Sequence, residues 1–144
     1  MKNRSVLIDI ISAAFVLLFV YAALSKILDF EKFRVELGKS PVLNVFAGFI
    51  AISVPLFEIV IAILLIIRKS QLFALYASFT LMTLFSTYII TILKFSSYIP
   101  CSCGGILSNM SWIQHLLFNI GFVVLGGIAI IIYPNQNKDL FVHN

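Results

Sequence analysis

Four long apolar stretches separated by short polar segments dominate the chain. They run approximately from Val6 to Leu28, Val42 to Ile67, Leu72 to Leu93 and Trp112 to Tyr133. A helix needs about 20 predominantly apolar residues to cross the hydrocarbon core of a bilayer, and each stretch meets that length. The pattern therefore predicts four transmembrane helices.

The segments between these stretches are too short to fold by themselves. The second and third stretches are separated only by residues 68–71, which predicts a tight antiparallel hairpin. We therefore predict an all-α membrane protein, a four-helix transmembrane bundle in which residues 1–144 form a single domain. The first stretch exceeds the apolar region of a signal peptide, so we expect it to be retained as a span.

The segment between the first two stretches carries a pattern of its own. Apolar side chains recur there at helical spacing among charged ones: Ile27, Phe30, Phe33 and Leu37. This pattern predicts a short amphipathic helix lying in the membrane interface. We expect Gly38 to end that helix and Pro41 to open the second span.

Composition agrees with a bilayer environment and excludes other classes. Hydrophobic residues make up 61% of the chain and charged residues 11%, whereas soluble domains carry about 25% charged residues. The high hydrophobicity excludes intrinsic disorder. A disulfide-rich secreted fold is excluded because the chain has only two cysteines. The net charge of +4 is scattered, so the expected partner is the lipid bilayer and not nucleic acid.

The distribution of Lys and Arg bears on orientation. With an inside N-terminus, these residues divide evenly between an inner set (Lys2, Arg4, Arg68, Lys69, Lys138) and an outer set (Lys26, Lys32, Arg34, Lys39, Lys94). The first loop carries acids beside its cations, whereas the inner cations flank the spans with no acid expected near them. We therefore expect both termini in the cytoplasm, the protein being a multi-pass protein of the inner membrane.

The only cysteines form a C-x-C pair in the loop before the fourth span. Cys101 and Cys103 are followed by two glycines, and a disulfide in so small a ring is strained and easily reduced. Cys103 also lies closer to the N-terminus of a helix, which favours a thiolate. These features indicate redox use; the alternatives are an inert staple and a soft-metal site with His115, and we assign no metal.

His115 is the third candidate for a catalytic role. It lies in the first turn of the fourth span, where it can act as a proton acceptor or thiolate partner for the cysteines. The alternative is an interface histidine beside the anchoring Trp112. A quinone near His115 and the threonines of the third span is compatible with this pattern.

Several polar residues fall inside the spans. Glu58 is interpreted as interhelical glue, hydrogen-bonded to a hydroxyl, because no basic residue is expected at its depth; the alternative is a functional carboxylate. Asn119 is a second residue of this kind. A threonine stripe on the third span predicts a face that packs on other helices or lines a polar cleft: Thr80, Thr83, Thr87 and Thr91.

Motifs of the chain resemble those of a known group. These are Ser25-Lys26-Ile27-Leu28-Asp29-Phe30-Glu31-Lys32-Phe33, Pro55-x-x-Glu58, Cys101-x-Cys103-Gly104 and Trp112 with Asn119. Over residues 5–133 the chain resembles the MauE/DoxX-like superfamily, and the cysteine motif resembles the methylamine-utilisation MauE branch. It departs from that branch at Ser102 and Gly105. The resemblance implies a four-span redox-associated membrane protein that acts beside a thioredoxin-like partner in maturing a disulfide-rich protein.

Together these observations lead to a functional hypothesis. We expect a membrane thiol–disulfide exchange protein whose extracytoplasmic pair, Cys101 and Cys103, supports disulfide formation in exported proteins with a thioredoxin-like partner. Two alternatives stay open. One is a non-enzymatic accessory or scaffold subunit, and the other is a small permease with Glu58 as its ion site.

Overall fold

A computed structural model describes residues 2–41, 43–95 and 111–133 of the chain. The described residues form five α-helices and one 3₁₀ turn, without a strand: α1 (Lys2–Leu28), α2 (Phe30–Lys39), the 3₁₀ turn Asn44–Phe46, α3 (Ala47–Ile66), α4 (Gln71–Phe95) and α5 (Trp112–Ile132). Four of the helical segments are long and apolar enough to cross a membrane. The predicted all-α, four-span architecture is confirmed.

Two expectations about the start of the second span were wrong. Helix α2 continues through Gly38 and ends at Lys39, where the Ser40 backbone N–H donates to the Leu37 carbonyl. Pro41 does not open the span, because the Asn44–Phe46 turn precedes α3. A glycine within a helix is tolerated at a modest cost when packing holds the flanking turns, so its presence alone did not fix the end.

The amphipathic helix predicted between the first two spans is present as α2. Its apolar residues Phe33 and Leu37 are buried and pack against Ala47 and Ala51 of α3. Its charged residues other than Glu36 are exposed, and Lys39 forms an ion pair at 3.0 Å with the partly buried Glu36. Helix α2 therefore covers one end of the bundle.

Large aromatic side chains fill the core of the bundle. Helix α1 packs chiefly on α3, and α4 packs chiefly on α5. Phe15 is fully buried, and its ring meets the Phe122 ring edge-on with centroids 5.2 Å apart. A Cβ atom at Gly126 would lie 3.4 Å from the Phe15 ring, an ordinary van der Waals distance, so α5 packs against Phe15 there with room for a small side chain. A Cβ atom at Gly121 would have no such neighbour within 4 Å among the described residues.

A polar cluster ties the hairpin between α3 and α4 to helix α1. Arg68 donates to an Asp9 carboxylate oxygen at 3.0 Å, and the Gln71 amide donates to the Ser12 hydroxyl at 3.1 Å. The expectation that no acid lies near Arg68 was therefore wrong. Asp9 is distant from Arg68 in the sequence, and the hairpin brings the two together.

Candidate functional site

A buried ion pair lies between α1 and α3. Lys26 Nζ is 2.8 Å from Glu58 Oε1, and the side chains are 8% and 0% exposed. Lys26 also donates to the Ala22 carbonyl at 3.4 Å, one turn earlier in its own helix. The prediction that a hydroxyl would bind Glu58 was therefore wrong.

The reason for this error is the length of the lysine side chain. Lys26 lies in the last turn of α1, so its backbone position suggested a charge facing water. Its four-carbon stem instead carries the ammonium back into the bundle, where it pairs with the carboxylate of Glu58. An acid in the middle of α3 and a lysine in the last turn of α1 therefore meet inside the bundle.

Aromatic rings complete the surroundings of the ammonium. Lys26 Nζ lies 5.9 Å from the ring centroid of Phe33 in α2 and 5.9 Å from that of Phe85 in α4. A cation at this distance from an aromatic face is attracted by the ring quadrupole. Groups from α1, α2, α3 and α4 therefore surround the charge of Lys26.

Glu58 keeps one acceptor unused. Its Oε2 atom is buried and has no hydrogen-bond partner within the described part of the chain. A buried carboxylate oxygen without a partner is costly, since water has been removed and nothing replaces it. The ion pair therefore leaves a polar position that a donor can fill.

A cavity of about 360 Å³ adjoins the pair. All four spans and α2 contribute to its walls, which are mostly apolar and aromatic: Phe19, Phe33, Leu81, Met82, Phe85 and Trp112. Its polar lining includes Lys26, Glu58, His115 and Asn119. A largely apolar cavity of this size with a few converging polar groups is typical of small-molecule sites.

The start of α5 places His115 at this cavity. Ser111 caps the helix with Gln114 in a reciprocal capping box, which fixes the first turn. Trp112 and His115 then face the cavity together, with ring centroids 6.2 Å apart. The structure thus brings His115 into one cavity with Lys26 and Glu58, whereas Cys101 and Cys103 lie outside the described residues.

The threonine stripe does not take part in this cavity. Thr80, Thr83 and Thr87 are exposed on the outer surface of α4, and each hydroxyl donates to the carbonyl four residues earlier. The expectation that the stripe packs on other helices or lines a cleft was wrong for these three. Helix α4 presents Met82, Phe85 and its neighbours to the cavity instead.

Asn119 is buried within the bundle, and its proposed role as interhelical glue stays a prediction. Its side chain is 3% exposed and lines the same cavity as His115, one turn further along α5. From the sequence, Lys26 was counted as an outer charge and as part of a motif, and its pairing with Glu58 was missed. The available signal was that Lys26 follows Phe19 and Ala22 at helical spacing, which puts it on the inner face of α1.

These features define a multi-pass helical membrane protein with a buried ion pair beside an apolar cavity. The family model described as methylamine utilisation protein MauE matches residues 4–132. The chain therefore belongs to the MauE family, as its motifs suggested. No curated protein and no solved structure matches it significantly.

Proposed function

We propose that the chain is a membrane thiol–disulfide exchange protein that works through Cys101 and Cys103. The observation that carries this proposal is that the chain's two cysteines stand one residue apart, followed by Gly104, in the segment joining two spans of a MauE-family protein. A pair in such a small ring suits a bond that is made and broken repeatedly.

The proposed exchange is balanced between the two proteins. A thiolate of one protein attacks the disulfide of the other, a mixed disulfide forms, and the second thiol of the attacking pair releases it. One pair ends oxidised and the other reduced, so electrons and protons pass between the proteins. We expect Cys103 to form the thiolate on this chain, because it lies closer to the N-terminus of α5.

His115 is the residue that we propose as proton acceptor for the pair. It lies in the first turn of α5, and this helix follows the cysteine segment directly. An imidazole can take a proton from a thiol within hydrogen-bond reach and return it later. Its position at the cavity wall supports this role, because the cavity removes it from the lipid.

The proposed partner is an extracytoplasmic thioredoxin-like protein, with both termini of this chain in the cytoplasm and the chain in the inner membrane. Disulfides persist in oxidising compartments, so the cysteine loop belongs on the outer side. The pairing of Lys26 with Glu58 supports this orientation, because Lys26 no longer counts as an outer flanking charge.

Trapping the mixed disulfide tests the exchange. We expect one of the single variants Cys101→Ser and Cys103→Ser to accumulate a covalent complex with an exported protein, seen as a shifted band on non-reducing gels. Two variants serve as matched controls. The double variant Cys101→Ser with Cys103→Ser should show no shifted band, and Ser102→Ala should exchange disulfides as the wild type does. An accessory subunit with an inert staple predicts no complex in any variant and unchanged oxidation of exported proteins, and that result would refute the exchange.

A further inference from the structure

At the cavity, the Lys26–Glu58 pair offers one donor and one acceptor beyond its own contacts. An ammonium carries three N–H donors, and two of those on Lys26 are used by Ala22 and Glu58 in the described structure. Glu58 Oε2 is the buried acceptor without a partner among the described residues. A ligand that fits here therefore presents an oxygen able to accept one hydrogen bond or to donate one.

The Lys26–Glu58 pair favours a neutral ligand over an ionic one. Lys26 and Glu58 neutralise each other at 2.8 Å, so an anion would meet the free carboxylate oxygen and a cation would meet the ammonium. The fitting molecule is therefore neutral. Rings from four elements face the cavity, namely Phe19, Phe33, Phe85 and Trp112, and such walls suit a flat conjugated ring.

The cavity also reaches the outer surface of the bundle. Leu84 lines the cavity and is nevertheless 59% exposed, in the middle of the spanning helix α4. A molecule entering beside Leu84 comes from the hydrocarbon region of the membrane. The ligand is therefore soluble in lipid.

We propose that this cavity binds the ring of a lipid-soluble quinone. A quinone carbonyl accepts a hydrogen bond from Lys26, and the hydroxyl of the reduced quinol donates one to Glu58 Oε2. The same two side chains thus serve both redox states of one ligand. A volume of about 360 Å³ holds a substituted ring while the isoprenoid tail stays in the lipid.

The role of this quinone as an electron acceptor rests on the proposed function. When Cys101 and Cys103 join, two thiols lose two electrons and two protons as the S–S bond forms. The quinone takes both electrons and both protons, and its two carbonyls become hydroxyls. The disulfide of Cys101 and Cys103 can then oxidise the next partner protein. Binding itself does not depend on the cysteines.

Trp112 provides a direct measurement of binding. It is the only tryptophan of the chain and lines the cavity, so its fluorescence reports on a quenching ring there. We expect decylubiquinone to quench the full-length protein saturably in lipid nanodiscs. Glu58→Gln should weaken the apparent affinity at least tenfold, because the amide replaces the free acceptor and breaks the ion pair.

Two alanines of α1 form a matched pair of variants. Ala22 lines the cavity, whereas Ala13 lies on the exposed face of the same helix. Ala22→Phe fills the cavity and should abolish saturation, while Ala13→Phe should leave the titration unchanged. Quenching that rises linearly and equally in wild type and all variants would overturn the proposal, since it would show only partition into the lipid. Displacement of the quinone by oleate would also overturn it, because it would identify a lipid site.

The cysteine variants separate this inference from the proposed function. The double variant of Cys101 and Cys103 to Ser should still show saturable quenching. Saturation without any trapped partner complex would refute protein exchange and leave the quinone site standing. A trapped complex with only linear quenching would refute the quinone site and leave exchange standing.

Discussion

Two ion pairs of this bundle use the same chemistry in different surroundings. Lys26 and Glu58 lie 2.8 Å apart with side chains 8% and 0% exposed, whereas Arg68 and Asp9 lie 3.0 Å apart with side chains 75% and 41% exposed. The distances are nearly equal, so geometry does not distinguish them. The surroundings do, because water screens the second pair and is excluded from the first.

The comparison indicates different reasons for the two pairs. Arg68 and Gln71 both donate to Asp9, and this Asp9 cluster joins the α3–α4 hairpin to α1. Exposed groups can make such a contact at little cost in desolvation. A buried pair gains little net stability, since removing two charges from water offsets their attraction. Ionisable residues inside a membrane span are therefore a sign of function, and here the pair adjoins the cavity.

Removing one member of the buried pair is expected to have the largest effect. Glu58→Ala leaves the Lys26 ammonium without its carboxylate, and breaking a buried pair in this way costs about 3–5 kcal/mol. The free energy of unfolding in detergent, followed by circular dichroism, measures the loss. A loss below about 1 kcal/mol would mean that the ammonium escapes to water, and the pair would then resemble the exposed one.

Replacing both members separates stability from binding. The double variant Lys26→Met with Glu58→Leu removes the charges and keeps the volume, and such replacements are often neutral or stabilising. We expect its unfolding free energy to lie within about 1 kcal/mol of wild type, in contrast to the single variant. Its saturable quenching by decylubiquinone should nevertheless be lost. Retained quenching would show that the pair serves the fold alone.

The architecture was predictable from the sequence because it depends on length and hydropathy. A span of apolar residues long enough to cross the bilayer has few alternatives, since its backbone polar groups must be satisfied internally. The four spans and the amphipathic α2 therefore followed from the pattern. Helix ends such as Lys39 did not, because packing of Phe33 and Leu37 carries α2 through Gly38.

The site was less predictable because it depends on side-chain reach. Counting residues gives the depth of a Cα atom, whereas Lys26 places its charge well away from its own Cα. The prediction that the threonine stripe faces other helices or a cleft was wrong for a related reason. A hydroxyl on a helix can be satisfied by the carbonyl four residues earlier, as at Thr83, so polarity does not show which face is turned inward. His115 was a candidate because of its position in the first turn of the fourth span, and its sharing of one cavity with Lys26 could be seen only in the fold.

A substitution in the exposed pair of Arg68 and Asp9 should have the smallest effect on the free energy of unfolding. Asp9→Asn removes the charge that faces Arg68 but keeps a side-chain oxygen that the Gln71 amide can still reach. Surface pairs typically contribute about 0–1 kcal/mol, so we expect a loss within that range that shrinks further at high salt. Unfolding titrations of wild type and variant at low and high ionic strength measure both quantities. A salt-independent loss of several kcal/mol would show that the Asp9 cluster is effectively buried, and the contrast with Lys26 and Glu58 would then disappear.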